Sequence, residues 1–582
     1  MRRRDGKRPR HAGLATRCVR GLLPVLGACV LRPVGPLAAQ TPVYSDTVEQ
    51  WGMQEVAVTS SRTYANPFTD VTLACRFRSG ETEVVASGFY DGHGTWKVRL
   101  MPDVRGTWTF TTVSRDPNLD RKTGSFQVIA PGPDNHGPVR VRDTYHFGYA
   151  DGAEYFPVGT TTYGGVGGDA RNRLRTVNLL SHSPFNKTRF QVLPAGFGSE
   201  GRDVLPFEVT ASGTPDYGRP NPQYYAEIES SLRDLQALGI EADAILFTPY
   251  DQQPGGRSNM GATNDEAYLR YVVARLAAFR NVWWTLTNEF DLYASPKDWN
   301  RLGTLVSQSD PYKHLLGIHN CCTAFYDNSQ PWIDHAILQD ITLQRLTAAP
   351  RNLTWLELDA RKIGKPVMVD EYGYEGNYGT TWGSFSGREI VEMHWAITLA
   401  GAYASHGESF AENGAAPDHF IGEAPPRLAF LKQIMMEAPY RQMEPAPDIM
   451  SGDDPNVSIL AKRGSYYLIA FWPPREVATW NLGFFGPATP SRPLPAKPFD
   501  FSAFVASLPK SPEFQLGDGV FRVDLIDPWL MKVTMLGYTN GPTQHFRARI
   551  TPGIVRLVRV DHPEPGAPLG TVSELMTGQR RR

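Results

Sequence analysis

Cysteine is scarce in this 582-residue chain: there are five, Cys18, Cys29, Cys75, Cys321 and Cys322, and two of them lie in the basic-then-apolar N-terminal stretch. The remaining three, with one adjacent pair, do not make a disulfide framework, and no histidine cluster completes a zinc pattern around them, so buried thiols and no metal or cofactor are expected. Charge of one sign is lacking too. The formal net charge is −1, which offers no electrostatic ground for binding nucleic acid or an anionic membrane. Beyond the N-terminus no apolar run approaches the roughly 20 residues of a spanning helix. Neither a GxSxG nucleophile elbow nor an HExxH helix occurs, and no GxGxxG loop follows the first strand of the central region. The composition that remains, 41% hydrophobic and 20% charged, is that of an ordinary globular protein.

The N-terminus departs from the rest. MRRRDGKRPRHAGLATRCVR is strongly basic, and GLLPVLGACVLRPVGPLAAQ after it is apolar and ends in small residues, the form of a secretory signal over residues 1–40 with cleavage near Ala39 or Gln40. Leu26-Gly27-Ala28-Cys29 offers an alternative, a bacterial lipoprotein box in which Cys29 carries the lipid. Arg32 and the prolines leave the stretch too short to span a bilayer. Secreted or periplasmic localisation is expected, with a lipid-anchored form at the envelope as the alternative.

A chain this long exceeds a single hydrophobic core, and its pattern changes twice. Over 41–131 short alternating runs such as VTLACRFRSG, TWKVRLMP and GTWTFTTVS, punctuated by Gly, Asn, Pro and Asp, predict an immunoglobulin-like β-sandwich. PGPDNHGP is the first linker. From 138 to 445, eight strand-like runs (EYFPVGTTTYG, FNKTRFQVLP, EADAILFTPY, NVWWTLTNEF, HLLGIHN, DHAILQDI, KPVMVDEYG and LAGAYASHGESF) alternate with amphipathic segments such as YYAEIESSLRDLQALG. Eight β-then-α units predict a closed (β/α)₈ TIM barrel, with an open doubly wound sheet as the competing architecture. YGGVGGD is read as a flexible loop over the barrel mouth. Residues 446–565 return to strands (VSILAKRG, SYYLIAFWP, GVFRVDLID, LMKVTMLGY), predicting a C-terminal β-sandwich, and 566–582 form a tail.

In such a barrel the chemistry sits at the C-terminal strand ends. Glu289 ends the fourth strand and Glu371 the seventh. A lone acidic residue there is commonly just solvated, but strands four and seven face one another across the mouth, so both carboxyls can converge on one bond. A retaining glycosidase needs such a pair, one carboxyl protonating the leaving oxygen and the other attacking the anomeric carbon. Their surroundings are expected to split the two pKa values. Asp370, Asp291 and Glu375 are rivals, and because neighbours on a strand point to opposite faces, only one of Asp370 and Glu371 is expected to face the axis. Arg189, on the second strand, places a charge in the barrel wall that needs a carboxylate. Tyr250 with Asp251, His319 with Asn320, Gln339, and His406 with Glu408 end strands three, five, six and eight, where they are candidates to bind sugar hydroxyls. Tyr163, Tyr372, Tyr374 and Trp382 fall in mouth loops as candidate stacking platforms, whereas Trp283, Trp284 and Trp395 are read as core.

Asn288-Glu289 after strand four and Glu371 after strand seven resemble clan A of the retaining glycoside hydrolases. Within it the whole arrangement resembles the apiosidase-like bacterial barrels that carry an N-terminal immunoglobulin-like domain of unknown function and a C-terminal β-domain. The resemblance implies a hydrolase of O-glycosidic bonds in a poly- or oligosaccharide, with Glu289 as acid/base, Glu371 as nucleophile, Asn288 on the hydroxyl beside the anomeric carbon and Arg189 orienting Glu371. The tryptophan on strand eight and the tyrosine on strand six common in that clan are not evident. The competing function is a catalytically inactive carbohydrate-binding or adhesion protein on the same barrel.

Overall fold

A computed structural model describes residues 41–163, 165, 170–193, 204–251, 256–321, 324–339, 361–376, 383–408, 420–451, 457–471, 513–545 and 553–577. No described helix is long and apolar enough to cross a membrane.

The N-terminal strands run from Thr47–Glu49 to Thr123–Ile129 and form one seven-stranded sheet that folds back on itself. Strand Thr82–Tyr90 makes the fold possible by pairing with Leu73–Ser79 along its first half and with Thr95–Leu100 along its second. Alternating side chains from both halves (Val56, Trp96 and Val98 from one; Cys75, Phe77, Trp108, Phe110 and Phe126 from the other) meet in one buried cluster, as period-two patterning requires of two facing layers. The run VEQWGMQEVAVTS is broken at Trp51-Gly52, so its two pieces join opposite edges of this sheet.

Eight parallel strands follow, and they are called first to eighth in chain order: Val158–Thr161, Lys187–Gln191, Glu241–Phe247, Val282–Thr287, Leu316–Gly317, Ala336–Gln339, Val367–Glu371 and Tyr403–His406. Each pairs in parallel with its neighbours, and the pairing of His319 with Ile337 joins the fifth to the sixth and closes the ring. Helices cover the outside because their sequences give them one apolar face. Pro222–Ala237 starts where Asn221 accepts from the backbone N–H of Gln223, and it buries Tyr224, Tyr225, Ile228, Leu232 and Leu235 at three- and four-residue spacing. A hairpin of Val139–Arg142 and His146–Tyr149 plugs the N-terminal end, with Phe147 against Trp283 and His335.

The C-terminal strands form a six-stranded antiparallel sheet in the order 444–445, 457–462, 466–471, 553–560, 520–527, 532–540. Each of its faces packs against a neighbouring layer. Leu460, Leu468 and Ile554 pack with the barrel helices, while Ile459, Tyr467, Val523 and Leu557 pack with the short pair Glu513–Gln515 and Thr543–His545 and with Val572.

The N-terminal sheet is tied to the barrel by buried charge. Arg99, 1% exposed at its side chain, donates two hydrogen bonds to Glu229 at 2.8 and 2.9 Å, pairs with Glu55 at 2.7 Å and lies over the rings of Phe89 and Phe279. Glu229 also pairs with Arg275, and Arg275 with Asp91. Removing one partner of such a cluster leaves an uncompensated buried charge. Arg99→Met is therefore expected to lower the free energy of unfolding by roughly 3 kcal/mol, read from urea denaturation curves of the two proteins.

Candidate active site

Two fixed cations enter the barrel from one strand. In the second strand, KTRFQ, residues two apart share a face, so Lys187 and Arg189 both point inward, and the side chains of both are 0% exposed. Each finds carboxylates on other strands. Lys187 Nζ lies 2.6 Å from Asp243 of the third strand and 2.9 and 3.2 Å from the Asp370 carboxylate oxygens of the seventh. Thr285 donates to the other oxygen of Asp243 at 2.6 Å, and Ser405 donates to Asp370. Arg189 sits one layer nearer the mouth. Its Nη1 donates to Glu371 Oε1 at 3.1 Å and its Nη2 to Asn288 Oδ1 at 2.8 Å.

From Arg189 a continuous chain of hydrogen bonds reaches the second glutamate. Asn288 Nδ2 donates to the Tyr250 hydroxyl at 2.6 Å, and that hydroxyl donates to Glu289 Oε2 at 2.7 Å. Gln339, with its amide nitrogen turned toward the carboxylate, stands 3.1 Å from Glu289 Oε1. The Cys321 side chain also hydrogen-bonds to Glu289. On the other carboxyl, Tyr163 donates to Glu371 Oε1 and accepts from Arg189 Nη1 at 3.2 Å and from the Tyr374 hydroxyl at 3.3 Å. His319 lies between the two, its Nδ1 accepting from the Glu289 backbone N–H at 3.4 Å and its Nε2 3.9 Å from Glu371 Oε1. Burial and the nearby Arg189 hold His319 well below the usual imidazole range, so it is neutral. Both glutamates retain 8% exposure while Lys187, Arg189, Asp243 and Asp370 have 0–1%, which leaves them as the reachable charges of the cluster.

The alternation rule predicts one inward residue from each adjacent pair, and the structure departs from it twice. In the seventh strand Val369 pairs with Leu338 but Gln339 pairs with Glu371, so Asp370 is the extra residue of a β-bulge. Asp370 and Glu371 consequently both face the interior, at different depths. This corrects the expectation that only one of them could. At the end of the fourth strand Glu289 adopts a left-handed backbone (φ 44°, ψ 57°), which costs a non-glycine residue of the order of 1–2 kcal/mol. The turn is held by hydrogen bonds from Asn288 N–H to Phe247 O and from Phe290 N–H to His319 O, both 2.9 Å, and it lets Asn288 and Glu289 address the same site.

Not every candidate joins this cluster. Tyr372 is fully buried, with its hydroxyl bonded to His394 of the surrounding helix at 2.8 Å. His406 faces outward from the eighth strand, stacked on Phe185 and 3.3 Å from Glu375. Glu408 accepts from the backbone N–H groups of Ile421 and Gly422, and Glu375 from those of Glu423 and Ala424 at the start of helix Ala424–Glu437. Tyr372, His406 and Glu408, expected to bind sugar, are thus engaged in packing and backbone contacts and are not gathered around the two glutamates. Glu375, His406 and Glu408 lie close enough together to suggest a cation site, but the carboxylate oxygens already accept from backbone amides. Among the other rivals, Asp291 accepts from the backbone N–H groups of Cys321 and Ala324, Asp251 pairs with Arg257 at 2.9 Å, and Asn320 bonds the backbone at Gln339. Trp382, Cys322 and most of the YGGVGGD loop lie outside the described residues. The sequence reading missed Lys187, Asp243 and Ser405, and it took Tyr163 and Tyr374 only as stacking platforms. Charged residues at period two inside otherwise apolar strands, as in KTR and EADAIL, were the available signal.

The eight-stranded parallel barrel, with an asparagine–glutamate pair after its fourth strand and a glutamate after its seventh, is a glycoside hydrolase-like catalytic domain. More narrowly, this one is apiosidase-like: residues 146–414 match the apiosidase-like catalytic domain, and residues 47–115 match a domain of unknown function (DUF5060). Among solved structures, a candidate glycoside hydrolase of Bacteroides vulgatus ATCC 8482 is 29% identical, with a TM-score of 0.71 over 89% of this chain and 100% of that one. A glycoside hydrolase family 5 protein of the same organism is 14% identical, with a TM-score of 0.55 over 73% of this chain and 94% of that one, and shares the fold. No curated protein matches the chain.

The two carboxyls stand in different fields. Burial and the neighbouring Glu371 push Glu289 up to about 7. Burial also raises Glu371, but Arg189 and the Tyr163 hydroxyl pull it back by stabilising its charge. Arg189 supports charge on Glu371 and no cation does so on Glu289, which favours the proton on Glu289. Because the folded protein keeps that proton to about pH 7 while an unfolded glutamate loses it near 4.5, the native state binds more protons through that window and loses stability as pH rises across it. Glu289→Gln cannot lose a proton. The advantage of this variant over the parent protein is expected to be larger at pH 8 than at pH 4.5 by about 3 kcal/mol, measured by urea unfolding. An equal difference at both pH values would show that folding does not raise the Glu289 pKa.

Proposed function

We propose that this chain is a secreted retaining glycoside hydrolase in which residues 138–445 form the catalytic domain. The observation that carries the reading is the single hydrogen-bonded chain from Glu371 through Arg189, Asn288 and Tyr250 to Glu289, which ties the two carboxyls into one frame with the cation at the Glu371 end. In the first step Glu371 forms a bond to the anomeric carbon as the bond to the leaving oxygen breaks, and Glu289 gives that oxygen its proton. In the second step Glu289, now ionised, takes a proton from water as the water oxygen displaces Glu371. Asn288 holds the hydroxyl beside the anomeric carbon, and Gln339 and His319 line the same space. The apiosidase-like character of the domain makes glycosides of apiose the first substrates to test.

Screening aryl glycosides and polysaccharides with the purified protein identifies a substrate. On it, Glu289→Ala and Glu371→Ala are each expected to lose at least 1000-fold in kcat/KM, of the order that losing an essential acid or nucleophile costs. Azide should rescue Glu371→Ala to a glycosyl azide of inverted configuration, and the parent enzyme should release sugar with retained configuration by NMR. Unchanged turnover in both variants would sink the assignment, and carbohydrate binding without turnover by the parent protein would favour the non-catalytic reading. For the N-terminus, sequencing of the mature protein is expected to begin near Thr41; a membrane-bound form that Cys29→Ser releases would instead assign the lipid anchor.

A further inference from the structure

Beneath the glutamates lies a layer of charge that never meets substrate. The Lys187, Asp243 and Asp370 side chains are completely buried, and burying so many ions is costly unless their arrangement is exact enough to repay it. Asp370 exists in this layer because of the bulge. As the extra residue of the seventh strand it is turned inward, where Lys187 grips both its oxygens and Ser405 donates to it. Ser405 reaches that point because Gly159, its partner on the first strand, has no side chain; a Cβ there would overlap the Ser405 hydroxyl. Seating Asp370 sets where the next residue, Glu371, emerges.

Charge balance gives Lys187 a second consequence. Asp243, Asp370 and Glu371 share two cations, Lys187 and Arg189. The Arg189 Nε lies 3.5 Å from Asp370 and 3.9 Å from Asp243, yet it makes no hydrogen bond, and the guanidinium spends its donors on Glu371, Asn288 and Tyr163. That orientation is available because Lys187 already hydrogen-bonds both oxygens of Asp370 and pairs with Asp243 as an ion at 2.6 Å.

We propose that Lys187 is the positioning residue of the site, holding the bulged Asp370 in place and thereby freeing Arg189 to orient and charge-stabilise Glu371. It touches neither Glu371 nor the substrate space and acts through Asp370 and Arg189. The inference rests on Glu371 being the nucleophile. The charged and titratable groups that face Glu371 are Arg189 from the second strand, Asp370 beside it, Tyr163 and Tyr374 from the loops after the first and seventh, His319 from the fifth, and Glu289 with Tyr250 from the fourth and third. Of these, only Arg189 and Asp370 are charged partners of Lys187's own network.

The test uses the full chain labelled with [δ-¹³C]glutamate, with the Glu371 resonance assigned by its loss in Glu371→Gln. Lys187→Met removes the cation, so the Glu371 midpoint should rise by a unit or more and kcat/KM should fall roughly 100-fold, as for a misplaced reacting group. The fall should appear in kcat rather than KM, with the acid limb of the pH profile moving up with the midpoint. Asp370→Asn is nearly isosteric and removes a negative neighbour, so it should shift the midpoint the opposite way, downward. If Lys187→Met does not fold, Lys187→Met/Asp370→Asn neutralises both partners, and its midpoint should lie above that of Asp370→Asn, from which it differs only by loss of the cation; a midpoint at or below that of Asp370→Asn overturns the proposal. Shifts of opposite sign support the proposal. Shifts of the same sign, or none, overturn it regardless of activity. Opposite shifts in a protein that hydrolyses no glycoside would overturn the glycosidase reading while leaving the charge network intact.

Discussion

The barrel is organised around two cations that cannot leave its wall. Lys187 and Arg189 project inward from the second strand with no exposure, and in that low-polarity space each must meet opposite charge. The partners, Asp243, Asp370 and Glu371, come from the third and seventh strands. Their meeting therefore depends on ring closure and on the register of several strands at once. The outermost partner, Glu371, is the one left reachable, and a structural requirement thus becomes a chemical one: the charge needed to satisfy Arg189 is also an oriented nucleophile in the proposed reaction.

Both carboxyls owe their position to local violations of regular strand geometry. A bulge at Asp370 lets two successive residues face inward at different depths, and a left-handed turn at Glu289 lets two successive residues address one site. Regular strands would have turned one of each pair outward. Tyr372 and His406 show the regular outcome: sited next to or near functional residues, they face the helices and pack there.

The environments of the two glutamates differ as the two proposed roles require. Glu289 receives hydrogen bonds but no cation, so burial dominates and it holds its proton. Glu371 is buried as well, but Arg189 and Tyr163 support its charge. The same frame supports both, since Arg189 and Asn288 connect them. Electrostatic preorganisation of this kind is what a site needs if charge is to develop without rearrangement.

By itself the sequence determined the three-part architecture and the eight β-then-α units, and it placed two glutamates at strand ends, because apolar periodicity and strand-end position are local properties that follow from helix and strand geometry. It also determined that Arg189 required a carboxylate, since a charge in an apolar strand admits few alternatives. Tertiary structure decided the rest. Whether Asp370 faced in or out depended on a bulge that is defined only against the sixth strand, and the turn at Glu289 is held by partners in the third and fifth. Lys187 could be assigned a role only once residues 56 and 183 positions away, Asp243 and Asp370, were seen around its ammonium. The direction of His406 was not legible because strand parity at the eighth strand depends on pairing with the first. A local pattern specifies elements, whereas the direction of a side chain at the end of a strand is settled by neighbours that the pattern does not contain.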